Sequence, residues 1–321
     1  MRLLRQADIE ACLPMSAAMR LMEKAFAAIS KESAQAAERQ AIETSAGHAL
    51  LMGAAAPGQG IVAKLVTVIP ANRSLGLPVS SGLGVLLDER DGRPLAVLDA
   101  TALTAWRTAA AVACATGVLA RQDARLGLLL GCGTQARAQL IAMDTARELE
   151  EIGVFARDPD RAGSLIEVVQ PECRARLRPV SNLPEAAGQA DIITAATTSA
   201  SPVIDGSWVA GGAHVNGIGS FRPGMCEFDN ALIEKATVYV ESLATAQLEA
   251  GELIAACHSG HTAASCWFEM GEVVCGNAPG RSNPQEITFF KSVGHAVFDL
   301  FAAGEIHRQA GRLGLGTEWS L

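Results

Sequence analysis

Residues 127–138 read GLLLGCGTQARA, an apolar run that ends in two glycines, Gly131 and Gly133, and continues into small residues. That order of residue types suits one task, the holding of a pyrophosphate. Gly131 permits a tight turn. Gly133 lets the backbone approach the phosphates. A helix opening at Thr134, Gln135 and Ala136 would offer free N–H groups and the positive end of its dipole to the anion. The third small residue is Ala136, so the pattern is G-x-G-x-x-A. The bland alternative is an ordinary glycine turn in an α/β core.

A dinucleotide loop needs a second strand whose tip meets the adenosine ribose. Here that strand ends FARDPDR. An acid at the tip would favour NAD, whereas an arginine can hold the 2′-phosphate of NADP. Arg157 occupies the turn with Arg161 nearby, which points to NADPH. Asp158, next to Arg157, keeps NADH open.

The surrounding pattern supplies the elements such a loop requires. From LGLLLG to DIITAAT, strand-like runs alternate with helical ones across short joints, and HVNGIG and TVYVES read as further strands. This predicts a parallel, doubly wound sheet. Before it the rhythm differs. Apolar spacing over 7–31 predicts helices begun by Asp8 or Pro14. Residues 49–55 and 61–69 read as a hairpin joined by PGQG, and SSGLGVLLDE and RPLAVLDA as another pair. Thr101 to about Arg121 reads as an alanine-rich helix with Thr101 as N-cap, and about 286–311 as a last helix. The fold class is therefore α/β, a Rossmann-type sheet joined to an α+β domain. The boundaries predicted are 1–118, completed by 298–321, and 119–297.

Composition narrows the partners. The 321 residues are 49% hydrophobic and 19% charged, with net charge −8, one Tyr and nine Phe. A sizeable core is available. No basic stripe or aromatic platform invites nucleic acid. The eight cysteines form no CxxC pair, which fits a reducing compartment, and the charged start MRLLRQADIE does not read as a signal peptide. The expectation is a soluble cytoplasmic protein without a membrane span.

The stretch 64–124, beginning KLVTVIPANRSLGLPVSSGLGVLLDE and including AWRTAAAVACATGVLA, is the most specific part of the chain. Taken with GCGTQA, HVNGIGS and KSVG, it resembles the ornithine cyclodeaminase/mu-crystallin family over nearly the whole length. The resemblance implies a substrate and dimerisation domain beside a Rossmann domain, with a site in the cleft between them. It also implies a small amino or imino acid substrate, a nicotinamide cofactor, a homodimer and no metal. It places Lys64, Arg107 and Arg39 on the substrate carboxylate. An arginine fork and a compact ammonium suit that anion. It places Thr108 and Gln135 on the cofactor phosphates, Asn216, Gly217 and Ile218 beneath the nicotinamide, Ser292 on the cofactor, and Val293 beside substrate.

One family feature is missing. Cyclodeaminases carry an acid/base Asp in a pattern like GGDxPGK, and this chain reads GIGSFRPGMCE, with Phe221 at that position. A phenyl ring transfers no proton. Glu227 and Asp229 lie further along and do not replace it. Ornithine deamination is therefore not expected. Hydride transfer to a cyclic imine that already carries its carboxylate remains, with Phe221 packed on the substrate ring. This is the reaction of the ketimine reductase branch, which acts on Δ1-pyrroline-2-carboxylate or Δ1-piperideine-2-carboxylate. The alternatives are ornithine cyclodeaminase, an amino acid dehydrogenase of the alanine dehydrogenase type, and a non-catalytic NADPH-binding protein. His48 is a possible proton donor. The cluster Cys257, His258, His261 and Cys266 has no recognised zinc spacing.

Overall fold

The computed structural model describes Met1–Ser320 and divides by internal contact into two compact units. Unit 1 comprises Met1–Thr108 and His295–Leu321, and unit 2 comprises Ala109–Gly294. The first division falls ten residues before the boundary at 118 read from the sequence, and the second three residues before that at 297.

Unit 1 is built on a mixed sheet of eight strands. Its order is Thr317–Glu318, Arg2–Leu4, Pro94–Asp99, Ser80–Leu87, Gly60–Val68, Gly47–Ala56 and Gln35–Ala36, with Gln40–Thr44 also paired to Gly47–Ala56. The four long central strands form an antiparallel meander. The helices Met15–Ser30 and Ala296–Leu313 pack together through an edge-to-face contact of Phe26 and Phe298, with ring centroids 4.9 Å apart. Strand periodicity then sorts the side chains. Along Gly60–Val68, Val62 and Lys64 are buried while Ala63 and Leu65 are exposed. The 7–31 segment forms two helices, Gln6–Cys12 and Met15–Ser30, broken at Leu13–Pro14, and Asp8 accepts from the Arg5 N–H at 3.0 Å.

Two sequence expectations are corrected here. The helix after the meander runs Ala100–Leu119, and its cap is Asp99, not Thr101. The Asp99 carboxylate accepts from the N–H groups of Thr101 (2.9 Å) and Ala102 (3.0 Å). Residues 286–311 are not one helix, because Ile287–Lys291 is a strand and the helix starts only at Ala296. The run ITFFK is apolar and buried throughout, which a central strand and a buried helix share, so periodicity does not separate them.

Unit 2 is an all-parallel sheet of eight strands. Its order is Arg176–Pro179, Glu151–Phe155, Leu126–Leu130, Ile192–Ala195, His214–Gly217, Ile287–Lys291, Ala236–Val240 and Phe268–Glu269. Successive residues feed opposite faces. Leu128 and Leu130 join one buried cluster with Val215 and Phe289, and Leu129 joins another with Ile152 and Val154. Such two-sided burial is typical of a parallel sheet covered by helices. Strand order reverses between Leu126–Leu130 and Ile192–Ala195, the place where open α/β sheets take their ligands. The helix Ala100–Leu119 is long and apolar enough to cross a membrane by length and composition, but most of it is buried in the protein.

Candidate functional site

In unit 1 a group of charges collects under the meander. Lys64 points inward from its strand, only 4% exposed, and Arg107 from its helix, also 4% exposed. Both reach one carboxylate, Asp299, on the helix Ala296–Leu313. Lys64 Nζ lies 2.7 Å from Asp299 Oδ2, and Arg107 Nε donates to Asp299 Oδ1 at 3.1 Å. Lys64 also donates to Thr104 Oγ1 at 3.2 Å. Burial pushes the Lys64 ammonium down to about 8, against the pull of Asp299. Burial would raise Asp299, but Arg107 and Lys64 outweigh it and hold the carboxyl below its ordinary range.

Two buried cations thus share one buried anion. Arg39, half-buried after the strand Gln35–Ala36, is close enough to lower Lys64 further. Arg107 Nη1 is buried and has no hydrogen-bond partner among the described residues. A buried guanidinium donor left unpaired is costly unless a ligand completes it. The arrangement brings Lys64, Arg107 and Arg39 near one another, with one buried guanidinium donor unpaired. Thr108 is buried beside Arg107. His48 is half-buried on the strand Gly47–Ala56, in register with Glu43 and Val68.

Sequence reading missed Asp299 and its helix neighbour His295. The signal available was an acid inside AVFDLF, where an apolar run would otherwise bury it unpaired.

Unit 2 places the glycine loop at the switch point. Gly131 has φ +107°, and a Cβ there would lie 2.7 Å from the Ala196 carbonyl at the end of the adjacent strand. Gly133 has open space where a Cβ would stand. The helix Ala136–Ala146 starts after Gln135, whose Oε1 is buried without a partner, and Thr134 is exposed. A tight turn, an open glycine and a free helix N-terminus fit a pyrophosphate. Arg157 is exposed after its strand, and Arg161 Nη2 donates to the Cys132 carbonyl of the glycine loop at 2.8 Å. Asp158 is engaged as an N-cap, accepting from Asp160 N–H at 3.2 Å.

Asn216 and Ser292, expected from the sequence to meet a cofactor, sit in buried polar networks. Asn216 donates to Thr116 Oγ1 (3.1 Å) and Thr194 Oγ1 (3.2 Å), and its Oδ1 meets His214 Nε2 at 3.0 Å. That amide is consumed internally, so Gly217 and Ile218 leave the strand in a fixed direction. Glu227 accepts from Thr197 N–H (2.6 Å) and Gly219 N–H (2.7 Å), tying the two loops that follow adjacent strands. Asp229 caps the helix Asn230–Lys235. Neither acid stands free to replace the one absent at 221. Ser292 Oγ donates to Glu241 at 2.5 Å, and Glu241 also accepts from the N–H groups of Val293 and Gly294. Val293 is buried in the core. Phe221 is half-buried against the same core with the Arg222 guanidinium 5.5 Å above its ring. Lys291 pairs with Glu252 at 2.8 Å, which gives the segment EAGEL a buried ion pair. Among the described residues no set of His, Cys, Asp or Glu could hold a metal ion.

The model of the ornithine cyclodeaminase/mu-crystallin family matches residues 1–312. The chain belongs to that family. Within it, the chain is 40% identical over 254 residues to the Δ1-pyrroline-2-carboxylate reductase of Paracoccus denitrificans (strain Pd 1222), covering 78% of this chain and 80% of the relative. Among solved structures it is similar to the Thermococcus litoralis Δ1-pyrroline-2-carboxylate reductase in complex with NADH and L-proline. The TM-score is 0.95 at 32% identity, over 99% of this chain and 100% of that one. It is also similar to an archaeal alanine dehydrogenase dimer with bound NAD, with TM-score 0.92 at 30% identity over 100% and 99%.

Proposed function

We propose that the protein reduces a small cyclic imino acid, Δ1-pyrroline-2-carboxylate or Δ1-piperideine-2-carboxylate, to L-proline or L-pipecolate with NAD(P)H. The observation that carries this reading is the buried, unpartnered Nη1 of Arg107 beside a Lys64–Asp299 pair. Two fixed positive charges over one negative attract a carboxylate, and the arginine fork orients it. The relatives named for pyrroline-2-carboxylate reduction support the same class.

The residues divide the work as follows. Arg107 and Arg39 hold the substrate carboxylate. Asp299 fixes Arg107 and Lys64 so that neither reorganises on binding. Lys64 carries three N–H donors, of which Asp299 and Thr104 take two. The third is available to the substrate, and an ammonium titrating at about 8 is well matched to giving a proton to an imine nitrogen. When bound, the reduced nicotinamide supplies the hydride. The Gly131–Ala136 loop anchors its pyrophosphate, and Gly217 and Ile218 support its ring. Phe221 contributes an apolar surface and no proton, which favours reduction over the deamination of ornithine. NADPH oxidation with each imino acid, run beside ammonia release from ornithine, tests the assignment.

The protein works as a homodimer. The outer face of the unit 1 meander carries Leu51, Leu65 and Leu83 in one row by register, with Leu65 48% and Leu83 59% exposed. An apolar row of this kind, set on a two-fold axis, buries itself against its own copy. Leu65→Arg shifts the solution mass toward the monomer if this face is the interface, and leaves it unchanged otherwise. All eight cysteines are free, in keeping with the cytoplasm.

A further inference from the structure

His295 stands at a point the proposed chemistry has not yet used. It is the N-cap of the helix Ala296–Leu313, and its Nδ1 accepts from Val297 N–H at 3.3 Å. An Nδ1 that accepts leaves the ring proton on Nε2. Four residues further along the same helix is Asp299, so the two side chains share a face. From other elements, Arg107 and Arg39 act on the ring electrostatically. The ring is mostly buried, and the residues on either side of it, Gly294 and Ala296, are buried. Its edge also meets Phe298, with centroids 6.3 Å apart.

Burial, nearby cations and the helix terminus all keep this imidazole neutral. Burial is the largest and Arg107 the next, and together they take it down to about 4, with Arg39 adding and Asp299 opposing. The positive end of the helix dipole acts in the same direction. Protonation of Nδ1 would also break the bond to Val297. A neutral histidine fixed at a helix N-terminus is a directed hydrogen-bond donor that does not switch off with pH.

Resting on the carboxylate-site reading above, we propose that His295 is a substrate-binding residue whose Nε2–H donates to the carboxylate held by Arg107 and Arg39. The charge-assisted bond adds a third donor group and limits rotation of the carboxylate about its bond to the ring. His295 moves no proton. It sets affinity and orientation.

The test uses the full-length protein with NADPH, and pyrrole-2-carboxylate as a planar, unreactive probe. His295→Ser keeps a cap acceptor for Val297 and removes the reach of the imidazole. The expected result is an unchanged Tm, a KM for Δ1-pyrroline-2-carboxylate raised about 10- to 100-fold, and a kcat changed far less. In the wild type, ¹⁵N spectra of the histidine rings are expected to show His295 as the neutral Nε2–H form at pH 5.5, with its Nε2 signal moved by saturating pyrrole-2-carboxylate. A KM unaltered in His295→Ser, a charged imidazole at pH 5.5, or an Nε2 signal unmoved by the probe overturns the role of His295. If the probe is bound by wild type and lost in Lys64→Met but unaffected in His295→Ser, only that role fails. If it does not bind wild type at all, the carboxylate site fails and His295 with it.

Discussion

Lys64 Nζ and Asp299 Oδ2 meet at 2.7 Å although 235 residues separate them in the chain. The pair is buried on both sides, and Arg107 takes the other carboxylate oxygen. The charge count, two cations to one anion, makes the three positions unequal. Lys64→Met leaves a balanced Arg107–Asp299 pair, so stability should change by no more than about 1 kcal/mol while reductase activity falls at least about a thousandfold. Asp299→Asn leaves two uncompensated buried cations and should destabilise unit 1 by about 3–5 kcal/mol. Urea unfolding of both variants checks the asymmetry. Equal losses of stability would contradict it.

The pH dependence of substrate binding follows from Lys64. Its pKa is lowered by burial to about 8, so the ammonium is fully present below that pH and is lost as pH rises through it. Affinity for pyrrole-2-carboxylate should be flat from pH 6 to 7.5 and then weaken, approaching about tenfold per unit well above the pKa. Titration calorimetry across that range reads this directly. A break near 10.5 would mean that burial does not govern Lys64.

The two loop glycines should fail in opposite ways. Gly131→Ala places a methyl against the Ala196 carbonyl at a positive φ, so the folded protein loses stability. Gly133→Ala meets no protein atom, so Tm should hold while NADPH affinity drops about tenfold or more, because the new methyl occupies the approach of the pyrophosphate. Differential scanning fluorimetry with and without NADPH separates the two. A Gly133→Ala protein that binds NADPH normally would place the phosphates elsewhere.

How much of this could be read beforehand depended on the range of the interactions. The glycine loop and the strand–helix alternation are local, so 127–138 and the parallel sheet were legible. Lys64 and Arg107 were legible through their family-like surroundings, since a cation inside an apolar strand has little other use. Asp299 was not, because its meaning depends on partners far away in sequence. The helix start near 286 was misread because ITFFK is apolar at every position and carries no period. The cap at Asp99 rather than Thr101 was a choice between two good capping residues two positions apart, which backbone geometry decides.

Cofactor preference should rest on Arg157, since Asp158 is engaged in capping its helix and Arg161 bonds the glycine loop. Arg157→Ala should raise KM for NADPH about tenfold and leave KM for NADH nearly unchanged. An equal effect on both cofactors would assign Arg157 to a structural role.

The most direct test of the account is NADPH oxidation followed at 340 nm with Δ1-pyrroline-2-carboxylate, in wild type and Lys64→Met, beside ammonia release from ornithine with NAD. Rapid oxidation by wild type, its loss in Lys64→Met, and no ammonia from ornithine are the predicted results. Ammonia and proline formed from ornithine would show that another group replaces the acid absent at Phe221, and would contradict the active site proposed above.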